Sequence, residues 1–486
     1  MSYKFTYPRE KYDETLLDKN LILKLILKHQ ALTEPLKKNK MYYDGNHSIC
    51  DKTRRQGAPN AKPVCNHAKD ISDTATGYFM GNAITYNNTG DADIDQLLVA
   101  FDKANVDDTD NDLALNMSIY GVAYEYVYAK EGDTVLQTKT LEPEQTFIVY
   151  DDTIEQNELF GVYYYLRKDD VNDIGYWYAT VCTEHYIYVL NIENNITLKQ
   201  TVTEEPILHN FNMMPINEYQ NNKESIGDFE QQIGLIDAYN NLMADRVNDK
   251  EQFIDAILVL YGANLTDEEM ITPNDEFEED NTEAAKALRR LKRMKLLELP
   301  EDAKAEYLAR TLDETGVEVL RKAIKEDIYT FSHVPNLTDE NFVGNSSGVA
   351  MEYKLLGLEM ITKVKQRYYT KALRKRIKLF CNYLSLKQIL VDADSIVPVF
   401  TRGLPKNLVE IAQTVTNLKG TVSQKTLLGL LPFVEDPDEE LKNVREDNAE
   451  SIKMQQELFN NPKASDNTPP DEEGNAGEEE QDDVDE

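Results

Sequence analysis

Cysteine is scarce in this chain, and its four copies, Cys50, Cys65, Cys182 and Cys381, are scattered over 486 residues. That is too few and too dispersed for a secreted disulfide scaffold, and it points to a reducing compartment. Long apolar runs are missing too. The nearest, residues 16–27 (LLDKNLILKLIL), is interrupted by Asp18, Lys19 and Lys24. It falls short of the roughly 20 residues of a membrane span and reads as an amphipathic helix packed on the body, with no targeting segment at the N-terminus. No fixed repeat is visible, which disfavours a solenoid or propeller. The phosphate-cradling GxxxxGK(S/T), a GxGxxG after a strand, HExxH and the nucleophile elbow are all absent. The six histidines sit apart, with no acid or nucleophile at a telling spacing. A hydrolytic enzyme is therefore the weaker class, although triads assembled only in space escape such a search.

Positive charge is the minority: 52 basic against 87 acidic residues, a net charge of −35. This argues against a protein whose whole surface grips nucleic acid, but not against one that surrounds DNA without holding it. Metal-ligand spacing occurs once, in His47, Cys50, Cys65 and His67. The CxH half is tighter than the usual zinc spacings, so ordinary thiols and imidazoles are the better reading.

What is present is organised around residues 311–384. Val317, Leu320, Ile324, Ile328 and Phe331 recur at helical spacing, and that helix should stop near Pro335. The stretch HVPNLTDENFVGNSSG (333–348) is a polar, exposed loop. Asn345, Ser346 or Ser347 can cap the next helix, with Glu352 near its first turn. This helix of about ten turns carries Tyr353, Leu356, Met360 and Val364 on one apolar stripe, continued by Tyr369, Leu373, Ile377, Phe380 and Leu384. Its other faces are cationic: Lys363, Lys365, Arg367, Lys371, Arg374, Lys375, Arg376 and Lys378. Like charges four apart repel, so an anionic surface should compensate, either an acidic protein face such as another copy of this chain or nucleic-acid phosphates.

In chain order, a polar arm and the first helix (1–35) close near Pro35, and an irregular basic stretch follows to Pro63. Helices are expected at 66–81, 93–105 and 109–120. Strand periodicity then appears at 123–128, 134–141, 146–150, 161–167, 176–182, 185–191 and 196–203, implying an antiparallel meander. Residues 217–227 read as a polar linker and 228–258 as a long helix. Residues 259–309 form a small α/β insertion with a basic helix (283–293) and a strand (294–300). Ile396–Thr401 is an edge strand because of Pro398. Helices follow at 408–418, 423–431 and from 437, and the acidic segment 461–486 should be disordered. The fold class is α+β, mostly helical.

This order of elements resembles the portal proteins of tailed double-stranded DNA bacteriophages, particularly the long-tailed ones, over nearly the whole chain. The stretches that carry the resemblance are NHAKDISDTATGYFMGNAITY (66–86), NEYQNNKESIGDFEQQIGLIDAYNNLMADRVND (217–249), GNSSGVAMEYKLLGLEMITKVKQRYYTKALRKRI (344–377), FTRGLPKN (400–407) and VSQKTLLGLLPFVEDPDEEL (422–441). The resemblance implies a homo-oligomeric ring, usually of twelve, at one capsid vertex of the virion, assembled in the host cytoplasm. It implies a channel for double-stranded DNA during packaging and ejection. It also implies contacts with the terminase large subunit, head-completion connector proteins, scaffolding protein and major capsid protein, and neither an enzymatic activity nor a cofactor nor a membrane contact.

In those terms 36–227 would be a β-rich wing, 228–258 and 310–332 the stem helices, and 259–309 the clip. Residues 333–347 would be the tunnel loop, 348–384 the long basic helix, 385–404 a wing strand and 405–460 a helical crown. Asn336, Asp339, Glu340, Asn341, Asn345 and Ser346 would face the DNA, whose phosphates the two carboxylates repel. Arg289, Arg290, Lys292 and Arg293 of the clip would dock the motor or connector, or else pair with a neighbouring subunit. Lys363, Lys365, Arg367, Lys371, Arg374 and Lys375 would lie in a subunit contact. Another virion connector and a helical adaptor are the rival readings.

Overall fold

Apolar residues at i, i+3 and i+4 start the fold near its N-terminus. A computed structural model provides the structure and describes residues 4–54, 59–90, 93–130, 132, 134–168, 175–193, 200–254, 257–261, 304–308, 314–337, 348–403, 408–431, 434 and 437–460. The chain divides into two units, Met1–Gly403 and Leu404–Glu486.

In the first unit β1 (Phe5–Tyr7) leads to α1 (Lys19–Leu32), whose cap Asp18 accepts the Asn20 N–H. This helix ends near Pro35, as expected, but the stretch after it, expected to be irregular, opens with a helix. Pro35 stands at its start, in the first turn of α2 (Glu34–Tyr43), where its missing N–H costs nothing. Then come α3 (His67–Met80), β2 (Thr85–Asn88), α4 (Asp95–Lys103) and α5 (Val106–Tyr120). Gly121 ends α5 in the left-handed region at φ +79°, so β3 (Val122–Ala129) can leave sharply. Next follow β4 (Leu136–Leu141), β5 (Thr146–Asp151), β6 (Glu158–Lys168), β7 (Gly175–Cys182), β8 (Tyr186–Glu193), β9 (Ile207–Leu208) and β10 (Ile216–Gln220).

The strands expected as an antiparallel meander or curled sheet divide between two sheets. Six strands run in the order β1-β5-β6-β7-β8-β9, antiparallel except that β1 pairs with β5 in parallel, and three run β10-β3-β4. The expected linker at 217–227 begins as strand β10: Asn217 is fully buried opposite Glu125. No strand forms at 200–203. The rest of that expected strand, 196–199, lies outside the described residues.

The long helix is shorter than its pattern suggests. After a 3-10 turn (Glu230–Gln232), α6 spans Ile233–Ile254, and Leu258 already belongs to β11 (Ile257–Tyr261), which pairs antiparallel with β12 (Lys304–Leu308). The basic helix at 283–293 and the strand at 294–300 lie outside the described residues. Then α7 (Glu314–Ser332) and the 39-residue α8 (Gly348–Leu386) follow, and β13 (Ile396–Val399) pairs with β2. On α7 Ile328 is buried, but Leu320 and Phe331, expected on the same apolar face, are exposed.

Three cores result. Helix α1 covers the six-stranded sheet with Ile22, Leu23 and Ile26 against Phe147, Val162 and Leu190. Tyr369, Leu373, Ile377 and Phe380 of α8 pack with Phe79, Phe101, Leu113 and Val127. Leu355 and Leu358 of α8 pack with Ile71, Ile236 and Ile328. The second unit contains α9 (Leu408–Leu418), α10 (Gln424–Leu428), capped by Ser423, and α11 (Pro437–Asn460).

Candidate functional site

Helix α8 packs into two of the cores of the first unit, and its charges sort into two sets. The core line runs Leu355, Leu358, Thr362, Lys365, Tyr369, Ala372, Arg376 and Phe380, all buried. Three of the cations lean inward from it. Lys365 pairs with Asp228, and both side chains are buried. Lys375 reaches Glu158 at the start of β6 and the Ile216 carbonyl at 2.8 Å. Arg376 is fully buried, its Nε 2.7 Å from Glu125 and its Nη1 on Asp110.

Hydrogen bonds surround this last cluster. Tyr219 OH donates to Glu125 at 2.7 Å, Asn217 Nδ2 donates to the same oxygen at 3.0 Å, and Tyr369 OH donates to Asp110. Burial pushes the Asp110 carboxyl up to about 6, against the opposing pull of Arg376. Burial also opposes the charge on Arg376, yet Asp110 and Glu125 hold it protonated. Nearer the start of α8, Glu359 binds Arg402 at 2.8 Å and accepts from Tyr78 OH.

The outward set is different. Tyr353, Leu356, Met360 and Val364, expected on one apolar stripe, are 74, 53, 63 and 40% exposed. They lie on the face opposite the core line, as their 3.6-residue spacing from Met360 requires. The same face turns cationic with Lys363, Arg367, Lys371 and Arg374. Lys363 has a loose pair with Glu359 at 3.5 Å, and Lys378 one with Asp394 at 3.2 Å. Arg367, Lys371 and Arg374 have no carboxylate partner among the described residues. With Gln366 and Thr370 they shape a shallow trough of about 410 Å³. Of the six cations expected in one contact, Lys365 and Lys375 are thus taken up inside the chain, while Lys363, Arg367, Lys371 and Arg374 face out.

The junction with α7 holds a second concavity. Phe331, Ile361 and Val364 wall a cleft of about 270 Å³ with Asn221 and Gln232, and the amide oxygens of the latter two are buried with no partner among the described residues. Helices α6 and α7 are joined by Arg246, which bonds Glu318 at 2.9 Å and Glu314 at 3.2 Å. Arg321, then Arg246, hold the Glu318 carboxyl at about 2. After α7, His333 turns the chain at φ +58°. Asn336 is half-buried, whereas Asp339, Glu340, Asn341, Asn345 and Ser346 lie outside the described residues, as do Arg289, Arg290, Lys292 and Arg293.

The His/Cys grouping does not converge. His47 is buried, with Nε2 on the Tyr42 carbonyl and Nδ1 on the Asn240 amide. His67 Nδ1 meets Tyr329 OH at 3.2 Å, and Cys50 is exposed. Among the described residues no three His, Cys, Asp or Glu side chains are placed to hold a metal ion. Nor, among them, is any helix long and apolar enough to cross a membrane.

The family described as "Phage portal protein, SPP1 Gp6-like" matches residues 23–454 of this chain. The portal protein of Bacillus phage SPP1 is 23% identical over 478 residues, covering 91% of this chain and 89% of its own. The portal protein of Clostridium phage phiCD119 is 23% identical over 329 residues, covering 66% and 68% respectively. A solved chain from the neck of an empty GTA particle computed with C6 symmetry aligns with a TM-score of 0.44 at 9% identity, over 75% of this chain and 89% of that one.

Proposed function

This chain belongs to the SPP1 Gp6-like family of phage portal proteins, and from that premise we propose that it forms a ring, usually of twelve copies, at one capsid vertex. The ring is a channel for double-stranded DNA during packaging and ejection. It is also the platform on which the terminase large subunit and then the head-completion connector proteins dock, held in place by scaffolding and major capsid protein. Its role is structural, played in the virion after assembly in the host cytoplasm.

The observation that carries the reading is the outward face of α8: an apolar stripe continued by Arg367, Lys371 and Arg374, cations with no carboxylate partner among the described residues, on a chain of net charge −35. A lone subunit leaves that face in water, and an acidic neighbour covers it. Lys363, Arg367, Lys371 and Arg374 are therefore the subunit-contact cations, while Lys365 and Lys375 brace α8 within its own subunit. The residues that approach DNA are Asn336, Asp339, Glu340, Asn341, Asn345 and Ser346 of the loop between α7 and α8. Amides and hydroxyls there touch phosphate weakly and the two carboxylates repel it, which favours sliding. Arg289, Arg290, Lys292 and Arg293 are the docking cations of the insertion.

Light scattering followed by particle imaging tests the reading. Closed rings of about a dozen copies with an axial hole are expected, and a protein that stays monomeric even with its scaffold counts against it. In assembled particles, replacing Asp339 and Glu340 by Lys should lower the DNA packaged per particle. An unchanged yield removes the loop from the channel.

A further inference from the structure

The loop between β5 and β6 is short, pinned and capped by an apolar tip. Asp151 holds both of its arms, accepting from Thr153 N at 3.1 Å, Thr153 Oγ1 at 2.6 Å, Asn157 N at 3.1 Å and Asn157 Nδ2 at 3.1 Å. Asp152 accepts the Arg9 N–H at 3.1 Å, and Gln156 takes φ +51° to close the turn. Ile154 at the tip is fully exposed, at 103%. A β-branched apolar side chain on a fixed loop gains nothing from water, and it loses little conformational freedom when covered.

The surroundings of this tip are acidic. Glu155, Glu158 and Glu184 line an open concavity of about 660 Å³ beside it, with Arg9 the one cation in its lining. The trough on α8 has the opposite character: Lys363, Arg367, Lys371 and Arg374, with Gln366 and Thr370, and no carboxylate. The two linings share no residue. The positions on α8 also differ. Glu158, at the root of the loop, reaches Lys375, whereas the trough is centred about 110° farther round the helix at 3.6 residues per turn. Within one subunit the loop and the trough therefore flank α8 on different sides.

We propose that the β5–β6 loop of one copy seats in the α8 trough of the next, with Ile154 against the aliphatic stems of the trough side chains and the carboxylates beside it on Arg367, Lys371 and Arg374. Two different patches make this contact heterologous, the kind that propagates head to tail and closes into a ring when the rotation permits. The contact rests on the ring reading above and names which surfaces would close it. It also removes the like-charge repulsion along Lys363, Arg367 and Lys371, spaced four apart.

Charge exchange on the full chain tests it. Arg367→Glu with Lys371→Glu, and separately Glu155→Lys with Glu184→Lys, should each raise the concentration needed for assembly by at least about tenfold. Combining all four should recover assembly. Because all four side chains are exposed, circular dichroism should report an unchanged fold. As an independent readout, Ile154→Cys with Thr370→Cys in a Cys50→Ser background should give a ladder of disulfide-linked multimers on oxidation. Wild-type protein that never assembles removes the ring reading and this contact together. Wild-type rings matched by rings of both reversal variants, without a ladder, remove this contact alone. Intact Arg367→Glu/Lys371→Glu rings that have lost retained DNA would overturn it in favour of a phosphate surface.

Discussion

Arg376 has zero exposure and faces two carboxylates, so its value to the protein depends on both partners staying in place. Arg376→Met leaves Asp110 and Glu125 buried and unpaired. It should cost about 3–5 kcal/mol, read from the urea midpoint of the purified protein. Two buried histidines contribute to the pH response. Burial lowers both His29 and His67 to about 4 from 6.5, so the folded chain binds fewer protons than the unfolded one between those values. Their contribution is complete above pH 6.5 and is lost as the pH falls toward 4. Asp110, raised from 3.8 to about 6, works in the opposite direction over that window. His29→Gln should flatten the acid loss of stability by up to about 1.4 kcal/mol per pH unit, measured as denaturant midpoints from pH 7 to 4. At this scale the sequence showed that α8 is cationic but not which cations are buried. Lys365, Lys375 and Arg376 differ from Arg367, Lys371 and Arg374 only in what the rest of the fold brings to them. One signal was available: stepping back from Tyr369 at helical spacing gives 365, 362, 358 and 355, and not the more apolar 364, 360, 356 and 353.

At the scale of elements, the joints carry the information. Gly121 ends α5 at φ +79°, and a Cβ there would lie 2.2 Å from the Ser225 carbonyl oxygen. Gly121→Ala should therefore destabilise by about 2 kcal/mol or more, with an unchanged denaturant slope. Elements with strong local patterns were legible, as in α3 with its Asn66 cap and β6 to β8 with their alternation. β10 was not. INEYQ is polar, and its burial depends on Glu125, Tyr219 and the distant Arg376 meeting in space. Helix α2 was missed for a related reason: a proline that follows the end of one helix can also stand in the first turn of the next.

For the molecule as a whole, the outward face of α8 predicts a salt effect. If unpaired cations meet a neighbour's carboxylates, the concentration needed for assembly should rise as salt goes from about 0.05 to 0.5 M, because exposed charges are screened. Sedimentation across that range checks it. Family membership was legible from long ordered stretches of sequence, but the face of α8 left free was not, since periodicity gives an angle and not a neighbour.

Helix α8 also has a mechanical consequence. From Glu359 to Arg376 it is fastened to α3 and Arg402, to the Asp228 segment, to β6, and to α5 and β3. Parts bolted to one beam cannot shift independently without breaking a bolt. A shift of these attachments relative to one another should therefore cost at least one of those bonds, and a hinge is expected beyond the ends of the bolted span.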